Sequence, residues 1–286
     1  MAMNNRLMRP KKSGAAPFVY NAEALAWETT VIANGGTVST STKQAVSTFC
    51  DAIDAAGIRS KFLRLNLVCG GNLAAARTPL YRGPSSTSTQ YGSAIDTNIG
   101  PYAEENYGES SGLTSATYTK CLDITVGPGD LFAFGGEYNN CHLSLYNRTM
   151  TSAAEPFAVF TTDELYFGII LSRALLVTYS SYEVVSATSG GFGLELAQWN
   201  DTSADYLLNN QSVKTAQDTT ESMQSFDSQV GTLAVGGVRN AQSDVYAGSY
   251  GSFSAYSVGK AFTSAAQLTA FYNAMIAFQT ALGRNV

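Results

Sequence analysis

The last fifth of the chain reads GTLAVGGVRN (Gly231–Asn240), SYGSFSAYSVGKAF (Ser249–Phe262) and TSAAQLTAFYNAMIAFQTALGR (Thr263–Arg284). Leu233 and Val235 sit two apart, the period of a strand, before Gly236-Gly237 breaks the run. From Tyr250 to Val258, small and aromatic residues occupy both alternating sets, which predicts a strand packed on both faces. The final segment has a different period. Ser264 with Gln267 forms an S-x-x-Q capping box; Leu268, Phe271, Tyr272, Met275, Phe278 and Leu282 recur at helical spacing, and Gly283 supplies the stop. A strand running directly into a one-striped helix over 264–282 predicts an element that lies on a sheet and closes it.

Working back from that end, the centre of the chain reads as many short strands. Leu63, Leu65 and Leu67 alternate with Arg64 and Asn66 as a half-buried strand ending at Gly70-Gly71. Pro84–Gly100, rich in Ser, Thr and Gly, reads as an irregular loop. Strands are expected at Tyr118–Val126, Leu131–Gly135, His142–Asn147, Phe157–Phe160, Tyr166–Leu171, Leu175–Tyr179 and Gly191–Gln198, with a turn at Gly127-Pro128-Gly129-Asp130. YLLNNQSV (Tyr206–Val213) resembles a hairpin of jelly-roll domains, with Asn209-Asn210 at the turn. Such spacing predicts a β-sandwich.

Two helices precede it. Asn21 caps one over Asn21–Ala33, ended by Asn34-Gly35-Gly36; the second runs from Thr42 to Ala56, with Ser41 and Gln44 as its capping box and Gly57 as its stop. The organisation expected is a basic arm over 1–19, a helical hairpin over 20–60, and a sandwich over 61–286 that ends in helix 264–282.

These residues also carry a resemblance. AYSVGKAFTSAAQLTAFYNAM resembles the end of laminin-G-like, concanavalin-A-like jelly-roll domains, where a strand close to AYSIGRALT leads into such a helix. More narrowly, the chain is similar to bacteriophage virion-associated proteins whose last helix reads close to LYAAMQAFQTALGR. Val31, Asn34-Gly35-Gly36, Val38-Ser39 and Asp54-Ala55-Ala56-Gly57-Ile58 match the same group near its start. The resemblance is good over Leu207–Arg284 and Asn34–Arg82 and faint between them. It implies a mainly β protein, a jelly-roll sandwich with an N-terminal helical hairpin and a C-terminal closing helix. It also implies a structural protein of a phage virion, in the tail, the baseplate or a head decoration. Such a protein is assembled in the host cytoplasm, contacts other virion proteins, and forms a homo-oligomer. The alternative is a receptor-binding lectin module that recognises host surface glycan.

Composition narrows the classes. Of 286 residues only 14% are charged and the net charge is −5, which argues against a general nucleic-acid binder. Residues 1–12 hold Arg6, Arg9, Lys11 and Lys12 and no acid, so removing that +4 from the net −5 leaves −9 on the rest. The basic residues make the arm a candidate anchor to a neighbouring subunit. No apolar stretch follows them as in a secretory signal, and Leu165–Val177, broken by Arg173, is too short to span a membrane as a helix. Cys50, Cys69, Cys121 and Cys141 lack C-x-x-C spacing and read as buried thiols.

Catalytic patterns are sparse. A jelly-roll glucanase would carry E-x-D-x-x-E on one strand, because alternate carboxylates share a cleft. Glu104-Glu105 and Asp163-Glu164 are adjacent instead, and Glu195 has no carboxylate two residues away. His142 is the sole histidine, and no G-x-S-x-G elbow is present. We therefore expect no enzyme and no required cofactor or metal. Calcium could be held by Asp201, Asp205 or Asp244, although these read first as polar loop residues. Glycan stacking would use Trp199 with Asn200, or Tyr246 with Tyr250.

Overall fold

The computed structural model describes residues 16–87, 90–116, 119–135, 140–150, 157–161, 165–170, 173–177, 182–186, 192–200, 203–209, 211–217, 232–239, 245–248 and 251–285. Strand β17 (Gly251–Gly259) is the hub, buried at every position after its first. One edge pairs with β6 (Asn140–Met150). The other edge is shared: β4 (Gly112–Ser115) takes its first residues and β1 (Phe62–Asn66) its last. Outward from β6 come β11 (Gly193–Asn200), β12 (Ser203–Leu208) and β13 (Gln211–Gln217), and outward from β4 comes β3 (Tyr107–Gly108), giving an eight-stranded antiparallel sheet. The expected hairpin joins β12 to β13, with Leu208 opposite Gln211 and Asn209 at φ +49°.

A second antiparallel sheet runs in the order β10 (Tyr182–Ser186), β9 (Arg173–Val177), β8 (Leu165–Ile170), β7 (Phe157–Thr161), β14 (Ala234–Val235), β5 (Cys121–Asp123) and β2 (Thr97–Ile99). The two sheets form a sandwich. Its interior holds Leu113, Leu143, Leu145, Trp199, Phe253 and Val258 from the larger sheet, with Leu122, Leu233 and Val235 from the side of the smaller. The strands β15 (Gly237–Arg239) and β16 (Val245–Gly248) pair separately.

The outer face of the larger sheet is covered by α1 (Ala22–Ala33), α2 (Thr40–Ala55) and α5 (Ala265–Ala281). Trp27, Phe49, Ile53, Phe271, Met275 and Phe278 meet Phe62, Leu65, Tyr146, Leu196 and Ala255 in one cluster. This third layer explains why β17 is apolar on both faces. Full burial of one such side chain contributes roughly 1.5–3 kcal/mol.

Three expectations are corrected. β1 is buried at all five positions rather than half-buried, with Arg64 and Asn66 fully inside. A bulge between Phe62 and Arg64 rephases it, so that Phe62 and Leu65 face the helices while Leu63 joins the inter-sheet core. The segment expected as a strand over Leu131–Gly135 is helix α4 (Pro128–Gly135). Pro128 starts it, Asp130 accepts a hydrogen bond from Gly127 N at 2.9 Å, and Leu131 and Phe134, three apart, turn inward. The cap of α2 is Ser39, whose hydroxyl accepts from Thr42 N at 3.1 Å, not Ser41. In this Ser/Thr run, the buried Thr42, donating to Glu109 Oε1 at 2.6 Å, fixes which residue begins the helix.

The ends of the helices follow their sequence signals. Asn21 Oδ1 caps α1 at Glu23 N, and Ser264 Oγ caps α5 at Gln267 N. Gln267 Oε1 reaches back to Thr263 N, one residue before the cap. Gly283 at φ +67° reverses the chain after α5, and Arg284 N donates to Gln279 O at 2.9 Å. That reversal drives the Arg284 side chain into the body.

Candidate functional site

Helix α1 is apolar on two sides. Its inner stripe, Ala24, Trp27 and Val31, is buried, and Trp27 Nε1 donates to Thr78 O at 3.1 Å. Its outer stripe, Ala22, Leu25, Ala26, Thr29, Ile32 and Ala33, is exposed and uncharged. Leu25 is 42% and Ile32 62% exposed, and just ahead of the helix Phe18 and Val19 are 43% and 84% exposed. The acids of α1 turn sideways into ion pairs, Glu23 with Arg59 at 2.8 Å and Glu28 with Lys43 at 3.1 Å. Thr29 Oγ1 donates to its own helix at Leu25 O, so its polar atom is satisfied internally. A helix apolar on both sides is ordinarily covered on both. A contiguous apolar strip left open, rimmed by satisfied charges, is the usual mark of a contact surface.

Two concavities border this layer. A groove of about 340 Å³ between α2 and α5 is lined by Ala45, Thr48, Phe49, Ala52, Ala277 and Phe278. A more polar pocket of about 250 Å³ lies between α1 and the segment after β1, lined by Trp27, Thr30, Arg59, Arg82, Ser86 and Gln90. In it, Arg59 is held by Glu23 and stacks on the Tyr81 ring at 3.6 Å, while Arg82 donates to Gly92 O.

The His142 side chain lies beneath the helical layer. Its Nδ1 is 2.7 Å from Lys260 O, which can only accept, so Nδ1 carries the proton and Nε2 accepts from Ser257 Oγ at 2.9 Å. Ser144 Oγ is 2.6 Å from Ser257 Oγ. A serine hydrogen-bonded to an imidazole has the geometry of a nucleophile and its base. Here, however, the orienting partner is a carbonyl, both groups are fully buried, and Phe62, Phe262 and Phe271 surround the ring.

Burial pushes the His142 pKa down from 6.5 to about 4, against the raising effect of the Lys260 carbonyl. The unfolded chain therefore binds a proton between these values that the folded chain does not. Stability is fully present above pH 6.5 and falls as pH drops toward 4, by up to roughly 3 kcal/mol. Chemical denaturation at pH 7 and pH 4.5 should show this loss, and His142→Gln should remove much of the pH dependence. An unchanged dependence in that variant would assign it to other groups.

The candidates from sequence do not come together. Trp199 is 2% exposed and belongs to the inter-sheet core, so its ring face is filled by protein rather than open to a sugar. Asn200 ends β11 opposite Asn140 and Ser203. The backbone of Tyr246 lies on β16; Tyr250 lies outside the described residues, as do the arm residues Arg6, Arg9, Lys11 and Lys12. Asp205 accepts from Gln198 Nε2 at 3.2 Å, and Asp201 and Asp244 fall outside the described residues. Among the described residues no group of three or more His, Cys, Asp or Glu side chains could hold a metal ion. No described helix is long and apolar enough to cross a membrane. The four cysteines are buried thiols, none of them in a disulfide.

The exposed stripe of α1 is not among the site residues expected from the sequence. The signal was available in Ala22, Leu25, Ala26, Thr29, Ile32 and Ala33, an uncharged set at helical spacing opposite Trp27.

No protein-family model and no curated protein matches the chain. Among solved structures it is similar to the CBM40 carbohydrate-binding module of the IT-sialidase of Ruminococcus gnavus, at 11% identity and a TM-score of 0.42, over 54% of this chain and 92% of that one. It is also similar to the NanB sialidase of Streptococcus pneumoniae, at 15% identity and a TM-score of 0.40, over 52% of this chain. That match spans only 26% of the sialidase's own length. A third is domain 4 of the arabinanase AbnA of Geobacillus stearothermophilus, at 10% identity and a TM-score of 0.35, over 46% of this chain and 66% of that one.

Proposed function

We propose that this chain is a non-enzymatic structural protein of a bacteriophage virion, in the tail, baseplate or head decoration. Its helical layer and N-terminal arm attach it to neighbouring subunits, and its sandwich, read as a jelly roll, forms the outward body. The observation that carries the proposal is the open, uncharged outer stripe of α1, which follows directly on the basic first segment of the chain. The sequence resemblance supplies the virion, and the buried state of the His142–Ser257 pair supports a role without catalysis.

The test is incorporation into particles. Lysine substitutions at Leu25 and Ile32 add charge to exposed positions, so the protein should fold normally yet be depleted from purified particles. Deletion of residues 1–19 should also reduce incorporation. Normal incorporation of both variants would overturn attachment through this end.

A second reading, a lectin module for host surface glycan, has its own observation. The pocket at Trp27, Arg59, Arg82 and Gln90 combines an indole edge, two guanidinium groups, hydroxyls and an amide in a monosaccharide-scale space. Glycan-array binding that is lost in Arg82→Ala and Gln90→Ala would support it. An array without signal would remove it.

A further inference from the structure

The attachment reading leaves open what covers α1, and we infer that the outer stripe of α1 docks on the same stripe of a second copy, about a two-fold axis at Thr29. This inference rests on the proposed assembly role and names the partner of the same surface. In an antiparallel pair of helices related by a two-fold axis, residues equally spaced before and after the centre lie level with one another. With Thr29 at the centre, Leu25 lies level with Ala33 of the second copy and Ile32 lies level with Ala26. Every large side chain of the stripe therefore meets a small one. An isologous interface needs this kind of self-complementarity, because one patch must fit itself.

Charge points the same way. Outside the basic residues 1–12 the chain carries a net charge of −9, so acidic surfaces of two copies repel one another. The stripe has no charge, and its flanking acids Glu23 and Glu28 are neutralised within each copy by Arg59 and Lys43. The central Thr29 hydroxyl donates to Leu25 O, so bringing two threonines together at the axis leaves no donor unpaired. Phe18 and Val19 lengthen the apolar strip beyond the N-terminal end of α1. Opposite-charge partners, by contrast, would find nothing in the stripe to recognise.

The experiment uses the full chain in sedimentation equilibrium across a concentration series, with Ile32→Lys beside the wild type. The wild type should form dimers, and Ile32→Lys should weaken dimerisation at least about tenfold with an unchanged circular dichroism spectrum. In parallel, Thr29→Cys should be trapped as a disulfide-linked dimer under mild oxidation, whereas Thr280→Cys, on the exposed side of α5, should not. The native cysteines are buried and add no competing thiol at the surface. A wild type that stays monomeric, a dimer indifferent to Ile32→Lys, or a dimer that Thr29→Cys does not trap would each overturn the inference. The particle-incorporation test reads separately. Loss of Ile32→Lys from particles with a monomeric wild type would keep the attachment reading and reject self-docking.

Discussion

Replacing Arg284 with methionine should lower the unfolding free energy by about 3–5 kcal/mol. The side chain is fully buried. Its Nη1 donates to Val68 O at 2.9 Å and Glu109 O at 3.1 Å, and its Nη2 to Leu67 O at 2.6 Å and Ser254 O at 3.1 Å. These carbonyls belong to the segment just after β1, the β3–β4 turn and β17, so one guanidinium ties three parts of the body to the end of α5. Burial pulls its pKa below the ordinary guanidinium value, against the raising influence of Cys69, Tyr107 and Glu109. Methionine fills much of the volume but donates nothing, which leaves four carbonyl acceptors without this donor in a dry site. Lysine would keep the charge but cannot present the planar fork, and should recover less than half of the loss. Urea denaturation of the three proteins checks this; a methionine variant within 1 kcal/mol of wild type, roughly the size of an ordinary surface effect, would contradict it.

Asp96→Ala should cost a similar amount, about 3–5 kcal/mol, for a different reason: it strands a cation. Arg64 and Asp96 are both fully buried and their ion pair closes at 2.6 Å. Asp96 also accepts from Tyr256 OH at 2.7 Å and Asn66 Nδ2 at 2.9 Å, while Arg64 reaches the carbonyls of Tyr91 and Ser93. Burial alone would lower the Arg64 pKa, yet Asp96 and Tyr256 outweigh it and the net shift is upward. Removing only the carboxylate leaves the guanidinium charged and without its counter-ion. The double variant Arg64→Met/Asp96→Ala should therefore be more stable than Asp96→Ala alone, as expected when both members of a buried pair are replaced. If the double variant is instead less stable by the sum of the single losses, the pair is not coupled as described.

Both networks show where sequence was readable and where it was not. The terminal strand and helix were legible because their signals are local: β17 mixes small and aromatic residues on both faces, and α5 carries its own cap, stripe and glycine stop. The Asn209-Asn210 hairpin was legible for the same reason. Arg64 read as the outward half of an alternating strand, since its partner Asp96 lies in a loop thirty-two residues away and only the tertiary fold brings them together. Arg284 is the same case: its partners at Val68, Glu109, Leu67 and Ser254 are distant in sequence and only the tertiary fold brings them to it. Leu131–Gly135 misled because a short apolar run does not distinguish strand from helix, and the deciding bond, Gly127 N to Asp130, sits just before it. Trp199 was chosen as a sugar platform on residue type alone, which cannot see that its side of β11 packs into the core between the two sheets.

The open stripe of α1 is the least expected feature and the one on which the functional account depends. Electron cryo-microscopy of intact particles containing this chain tests it most directly. The account predicts density for the chain in which the Leu25–Ile32 face of α1 is covered by protein. A chain absent from the particles, or present with that face open to solvent, would contradict it.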